Sequence, residues 1–574
     1  MIVIKGIPAS PGIAIGKAYL LEDEEIVIQR AELSADMVKG EVKRFKSAQK
    51  ATHKDLDAAE ARVLKLLGKK HAKLIDAHRL ILTDALITQE VPQRITKERV
   101  NAEFALSEAL EAMNRQFEKM EDEFFRERRH DLFDVGKRLL QHLLKREKRS
   151  LADISQPCIL VARNLLPSDT LSLQETKILG FATDLGGKSS HTAILAQSMD
   201  IPAVVGLSDV SHRARADDVV ILDGEQGLVI INPGPETLAK YQKAQVKALH
   251  EERALGGLRG LPCVTQDGRA VELMANLDTP EELKTIVSLQ TDGIGLFRTE
   301  YLFLNRPTAP GEEEQVKAYG AAVRALEGMP VVIRLADIGG DRLSSLGLDS
   351  PKVEPNPFLG LRGIRLFLRH MDLFKTQLRA ILRAAPKGRI KIMVPMVSSI
   401  GEILSARRLL SLAQEELRAE GAELPAAVEL GIMVEVPAAA LLLESFLPHL
   451  DFISIGTNDL IQYTLAVDRI NENVSHLYDP FHPAVIRLVD QSVQAARRQG
   501  KWVSVCGEMA SDPHAAPLLI GMGVDGLSVT PRMYLRIKQA LRRSNFEAMS
   551  RLVSRAVACP SSEEIRRMME EMGP

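Results

Sequence analysis

A histidine follows two glycines, a lysine and two serines in GGKSSHTAILAQSMDIPAVVG, residues 186–206. Ile194, Leu195 and Met199 then recur at helical spacing, which puts His191 at or just inside a helix N-terminus. Free backbone N–H groups and the positive end of the helix dipole favour an anion there. A neutral imidazole nitrogen can attack phosphorus, and such a terminus would stabilise the resulting phosphohistidine. Gly, Ser and His also serve ordinary turns and caps, so this stretch alone leaves both roles open.

A second group of residues ends short apolar runs further along the chain. Arg298 closes GIGLFR and Arg334 closes VVIR. Each guanidinium can grip a phosphate or carboxylate with two parallel hydrogen bonds. Glu435 and Asp459 end later runs and offer oxygen ligands to Mg2+, which takes one or two carboxylates beside substrate oxygens. Asn458 can hydrogen-bond a phosphate, and Arg469 follows in TLAVDR. Cys506 ends a run in WVSVCGEMA, where a thiol can protonate an enolate. Rim ion pairs and a buried structural thiol are the plainer alternatives for these residues.

The elements that must position them are legible in the texture of the chain. From residue 260 onward, the apolar runs VELMAN, GIGLFRTE, VVIRLAD, KIMVPM, GIMVEV, FISIGTND, WVSVCGE and GLSVTP alternate with helical stretches. That pattern predicts a (β/α)8 barrel, with polar residues such as Asn276 and those above on the face where barrel enzymes work. Residues 2–20 read as strands and tight turns. From about Leu33 the period changes. Ser34 is a candidate cap, and Val38, Val42, Phe45, Thr52, Leu56, Ala59 and Val63 trace one helical face. Helical pattern continues through LIDAHRLILTDALI, FALSEALEAMNRQF and VGKRLLQHLL, predicting a bundle over 33–147. Strand texture returns at Pro157 and runs to Ile231. A charged helical stretch ending at Gly256 and Gly257 then makes a linker. The expected division is 1–32 with 148–232 as one α/β domain, 33–147 as an inserted bundle, 233–259 as a linker and 260–574 as the barrel.

Composition is that of a globular protein: 574 residues, 45% hydrophobic and 26% charged, with a net charge of -2 that favours neither nucleic acid nor an anionic membrane. No apolar stretch is long enough to span a bilayer, and MIVIKGIPAS lacks the apolar core of a signal peptide. The four cysteines show no CxxC spacing, which points to a reducing, cytoplasmic setting.

Taken together, these motifs resemble Enzyme I of the bacterial sugar phosphotransferase system, the phosphoenolpyruvate–protein phosphotransferases. The resemblance runs from GIPASPGIAIGKAYL to the last barrel strand. It is carried chiefly by GGKSSHTAILAQSMDIPAVVG and by GIMVEVPAAA followed by DFISIGTNDLIQYTLAVDR. GIGLFRTEYLF, VVIRLADIGGDR, NPFLGLRGIR and CGEMA support it. It implies a multidomain α/β fold: a swivelling phosphohistidine domain with an inserted helical bundle, followed by a (β/α)8 TIM barrel. It implies that His191 is phosphorylated on Nε2, that Arg298, Arg334, Arg469, Asn458 and the Asp459 backbone bind phosphoenolpyruvate, and that Glu435 and Asp459 hold Mg2+. Cys506 would protonate the enolate, with Arg362 and Asn356 lining the same site. The bundle would dock the carrier protein HPr, the barrel would dimerise, and the linker would act as the hinge. The family often carries Arg where this chain has Lys188 and Lys where it has Arg342, and RRHDLFDVGKRLL departs from the family pattern. Pyruvate phosphate dikinase and phosphoenolpyruvate synthase share the histidine domain and barrel, but the stretch before His191 is helical and holds no Gly-rich phosphate loop. A nitrogen-related paralogue and a silent carrier-binding regulator are the remaining alternatives.

Overall fold

A computed structural model of the chain describes residues 1–21, 28–67, 78–79, 81–118, 129–144, 154, 156–165, 177–187, 196, 201–304, 306, 308–339, 354, 356–425, 427–469, 471 and 473–572. They divide into two compact units, Met1–Glu251 and Glu252–Pro574.

The first unit holds an eight-stranded sheet in the order β1-β8-β7-β3-β4-β5-β6-β2. Its strands are β1 Ile2–Lys5, β2 Ile7–Ser10, β3 Ile13–Leu21, β4 Cys158–Ala162, β5 Ile178–Thr183, β6 Ala203–Val205, β7 Val219–Asp223 and β8 Leu228–Ile231. β3 to β6 run parallel, and the remaining pairs are antiparallel. Every residue of β4 is buried, as a central strand requires. Because β3 pairs directly with β4, the chain between Leu21 and Cys158 is an excursion from the sheet. Its described residues include the helices Val38–Leu67, Val91–Glu98, Ala102–Glu118 and Arg129–Leu144, around a core that includes Phe45, Leu56, Ile95, Leu106 and Leu139. Arg44 ties three of these helices together, pairing with Glu41 and Glu103 and donating to Leu143 O at 2.8 Å. Ser34 does not cap the first helix. Its side chain is taken by Asp36, residues 35–37 form a turn, and the helix starts at Val38. The helix following the sheet spans Pro235–Gly256.

The second unit is a closed barrel of eight parallel strands: β9 Glu272–Leu277, β10 Ile294–Phe297, β11 Val331–Arg334, β12 Ile390–Val394, β13 Glu429–Val434, β14 Phe452–Ile455, β15 Trp502–Val505 and β16 Gly526–Val529. Each coincides with one of the eight apolar runs. Such runs are near-continuous because the strands are covered on both sides, by helices outside and by side chains within. Leu296, Val332, Met393, Met433, Phe452 and Cys506 fill the interior. At the N-terminal end of the strands, Lys391 lies 4.7 Å from the Trp502 ring centroid and 5.2 Å from that of Phe452, and pairs with Glu429 at 2.8 Å. This cation–aromatic stack closes the barrel floor.

A buried amide network steadies the opposite end. Gln377, on helix Met371–Ala384, donates to Thr299 Oγ1 at 3.1 Å and to Tyr319 OH at 3.0 Å, and accepts from Ala336 N at 3.1 Å. Thr299 in turn donates to Arg334 O at 2.9 Å. One glutamine thus holds the backbone on both sides of the β11 terminus. Gln377→Leu strands the Ala336 N–H away from water, so it should cost about 2 kcal/mol, the price of one buried unmet donor. Urea unfolding followed by circular dichroism measures this, and a loss near zero would show that the network bears no strain.

Candidate active site

Six strands deliver polar groups to the C-terminal end of the barrel. Arg298 follows β10, Arg334 ends β11, Met396 lies just beyond β12 and Glu435 follows β13. Asn458 and Asp459 open the helix Thr457–Leu465 after β14, and Cys506 follows β15.

At the centre stand three acids. Carboxylate oxygens of Asp337, Glu435 and Asp459 all lie within 4.8 Å of one another. Two arginines thread between them. Arg362 grips Asp337 with two bonds, Nε at 3.0 Å and Nη2 at 2.6 Å, and its Nη2 lies 3.7 Å from Asp459. Arg334 donates to Glu300 at 2.9 Å and lies 3.6 Å from Asp337. The same Glu300 oxygen accepts the Asp337 N–H at 2.6 Å. With Glu300 included, four carboxylates face two guanidiniums.

This imbalance is expressed in the titration of the groups. Burial works against the charged form of Asp337, but Arg334 and Arg362 outweigh it and hold its carboxyl below the usual range. Glu435 goes the other way. Burial, then Asp459 and Asp337, push it up to about 8 against the pull of Arg334 and Arg362. Its carboxylate accepts the Met396 N–H at 2.6 Å, which Met396 can aim only in a left-handed conformation, φ 61°. Gly363 makes room: a Cβ there would stand 2.9 Å from the Met396 side chain and 3.3 Å from Asp337 Oδ1. Asp459 Oδ1 is buried and has no hydrogen-bond partner among the described residues. An unpartnered buried carboxylate oxygen and a neighbour holding a surplus proton are what an acid cluster shows when a hard divalent cation fits between its oxygens.

Around this centre, Cys506 is 1% exposed, with Sγ 3.7 Å from Ile455 O. Burial raises its thiol to about 11, although Ser454, Arg334 and Arg298 pull the other way. It therefore keeps its proton at neutral pH. Arg298 pairs with Asp278 at 2.7 Å. Asn458 donates to Glu508 at 3.0 Å, and Arg469 lies 4.0 Å from the same carboxylate oxygen.

Arg334, Glu435, Asp459 and Arg362 thus meet in one cluster, within electrostatic reach of Arg298 and Cys506. Asn458 and Arg469 meet at Glu508. Asn356 is exposed at the head of the turn Pro357–Leu359. Asn276 is buried and accepts from Ser528 Oγ at 2.7 Å. His191, Lys188 and Arg342 lie outside the described residues. Sequence reasoning passed over Asp337, Glu300 and Met396. Asp337 and Glu300 each lie three residues past the end of a strand, in VVIRLAD and GLFRTE, so their place in those motifs was the available signal.

Three family models assign the chain, barrel included, to the phosphoenolpyruvate-utilising enzymes. The PEP-utilising enzyme N-terminal model matches residues 5–128, the mobile-domain model 154–227 and the PEP-binding-domain model 252–546. The chain is 42% identical over 568 residues to a phosphoenolpyruvate-protein phosphotransferase of Listeria monocytogenes, covering 99% of each. It is 42% identical over 564 residues to one of Staphylococcus aureus strain MRSA252, covering 98% of each. It belongs to the phosphoenolpyruvate-protein phosphotransferase family. Among solved structures, a solution structure of an Enzyme I protein is 39% identical, spans 43% of this chain and 99% of its own, and has a TM-score of 0.38.

The Glu435 shift carries a stability consequence with a definite sign. Its folded pKa lies above the ordinary value of 4.5, so the folded protein binds a proton that the unfolded chain releases. Stability without added metal should therefore fall as pH rises from about 4.5 towards 8. Asp337, shifted down, acts in the opposite sense and only below its ordinary 3.8. Scanning calorimetry of the wild type and Glu435→Gln tests this: the variant should show the flatter profile across that window.

Proposed function

We propose that this protein takes the phosphoryl group of phosphoenolpyruvate onto His191 Nε2, releases pyruvate, and passes the group to the histidine of the phosphocarrier HPr, the first step of sugar uptake by the phosphotransferase system. The observation that carries the reading is a buried thiol beside arginines and a carboxylate cluster at one barrel mouth.

In this reading, attack by the imidazole nitrogen forms the P–N bond as the bond from phosphorus to the enol oxygen breaks. Arg298, Arg334 and Arg469, with Asn458 and the Asp459 backbone, hold the anion and balance charge on the transferring group. The leaving enolate takes a proton from Cys506 at its methylene carbon and becomes pyruvate. The thiol's raised pKa suits a group that must arrive protonated. Glu435 and Asp459 would hold Mg2+, with the unpartnered Asp459 oxygen as a ready ligand. When bound, Mg2+ supplies positive charge beside the phosphoryl oxygens.

The helical bundle, residues 33–147, is proposed to dock HPr, residues 233–259 to form the linker, and the barrel to join two copies in a homodimer. No described helix is long and apolar enough to cross a membrane. All four cysteines are free and buried, which suits a reducing cytoplasm.

Incubation with labelled phosphoenolpyruvate and Mg2+ should give acid-labile, base-stable label on the wild type and none on His191→Ala, with matching pyruvate. An unlabelled, folded wild type would refute the reading. With excess HPr present to accept the phosphoryl group, Cys506→Ala should lower kcat for pyruvate release by about 10²–10⁴, the usual worth of a positioned acid, with little change in KM. At pH 7, calorimetric titration with Mg2+ in buffers of different ionisation enthalpy should show release of about one proton per ion, as the metal displaces the one on Glu435. That release should fade as pH rises past 8.

A further inference from the structure

Glu508 lies two residues beyond Cys506, in the turn after β15. Its side chain is 74% exposed, so it adds little to the core. It nevertheless engages Asn458 at both ends of the carboxamide. The Glu508 N–H donates to Asn458 Oδ1 at 2.7 Å, and Asn458 Nδ2 donates back to Glu508 Oε1 at 3.0 Å. Two such contacts fix which way the amide faces and leave one Nδ2 hydrogen to donate elsewhere. The same Glu508 oxygen lies 4.0 Å from Arg469. Tyr478 OH, which also bonds Arg469, donates to the backbone carbonyl of Asn458 at 3.4 Å. Gly507 lets the turn approach this closely: a Cβ there would stand 2.0 Å from Thr457 Oγ1 and 3.0 Å from Asn458 Oδ1.

An exposed ion pair at such a distance does little for stability. What the arrangement controls is direction. We infer that Glu508 is a positioning residue for phosphoenolpyruvate: it aims the Asn458 carboxamide at the anion and keeps Arg469 beside it. It thereby ties two anion-holding groups to the turn that carries the proton donor. This rests on the function proposed above. Glu508 itself touches no reacting atom and acts through Asn458.

The test is steady-state kinetics of phosphoenolpyruvate-dependent pyruvate release by the full chain with Mg2+ and excess phosphocarrier HPr as phosphoryl acceptor, for the wild type, Glu508→Ala, Glu508→Gln, Asn458→Ala and the Asn458→Ala/Glu508→Ala double variant. Glu508→Ala should raise KM for phosphoenolpyruvate about tenfold, the worth of one misaligned hydrogen bond, with a much smaller change in kcat. Glu508→Gln, which keeps an oxygen acceptor, should recover most of that loss. In the double variant the two losses should be clearly less than multiplicative, because one acts through the other. Thermal melting should be alike for the wild type and Glu508→Ala. An unchanged KM in Glu508→Ala, equal damage from Gln and Ala, or fully multiplicative losses would each overturn the inference and leave the proposed function standing. A folded wild type that releases no pyruvate overturns both.

Discussion

Four carboxylates and two guanidiniums lie largely buried together at the barrel mouth, and much of the second unit answers to that fact. Charges taken from water are tolerated only when each finds a partner of opposite sign or gives up its charge. Here both solutions operate. Asp337 keeps its charge because Arg334 and Arg362 hold it, whereas burial and the neighbouring Asp459 and Asp337 push Glu435 towards its protonated form against the pull of the same guanidiniums. Asp459 Oδ1 is left buried with no hydrogen-bond partner among the described residues.

Such a balance survives only if the partners cannot drift. The barrel provides that rigidity by supplying each group from a strand end, and the connecting segments refine it. Gln377 fixes the backbone flanking Arg334 from behind. Met396 adopts a strained left-handed conformation to aim one N–H at Glu435, a cost repaid by the bond it makes. Glu300 links the ends of β10 and β11 through a single oxygen.

The barrel was legible because its strands are covered on both faces, so each reads as an apolar run with a polar residue at its end. Arg334, Glu435, Asp459 and Cys506 fall where that pattern puts them. Asp337 did not stand out, since its importance lies in Arg362, further along the same connection between β11 and β12, where Arg362 comes back to bridge Gly339 and grip Asp337. Nor does a strand-end rule tell that Asn458 and Arg469 share a partner in Glu508 rather than joining the central acids. Ser34 shows the limit of local rules: it has the right type for a cap, yet a nearer carboxylate claims its hydroxyl. The eight-stranded sheet was harder to read than the barrel, because its strands come from two stretches of chain with the helical excursion between them.

The lysine stack in the barrel floor has a practical side. Trp502 is the only tryptophan in the chain, and it lies between Lys391 beneath and the side chains of the barrel interior. Indole emission therefore comes from the barrel and from nowhere else in the molecule. A cation held against the ring sets its colour and yield in the folded state, and loss of that stack on unfolding will change both. The sheet and helical bundle of the first unit are silent at those wavelengths, so optical melting curves can be assigned to one half of the protein without a label.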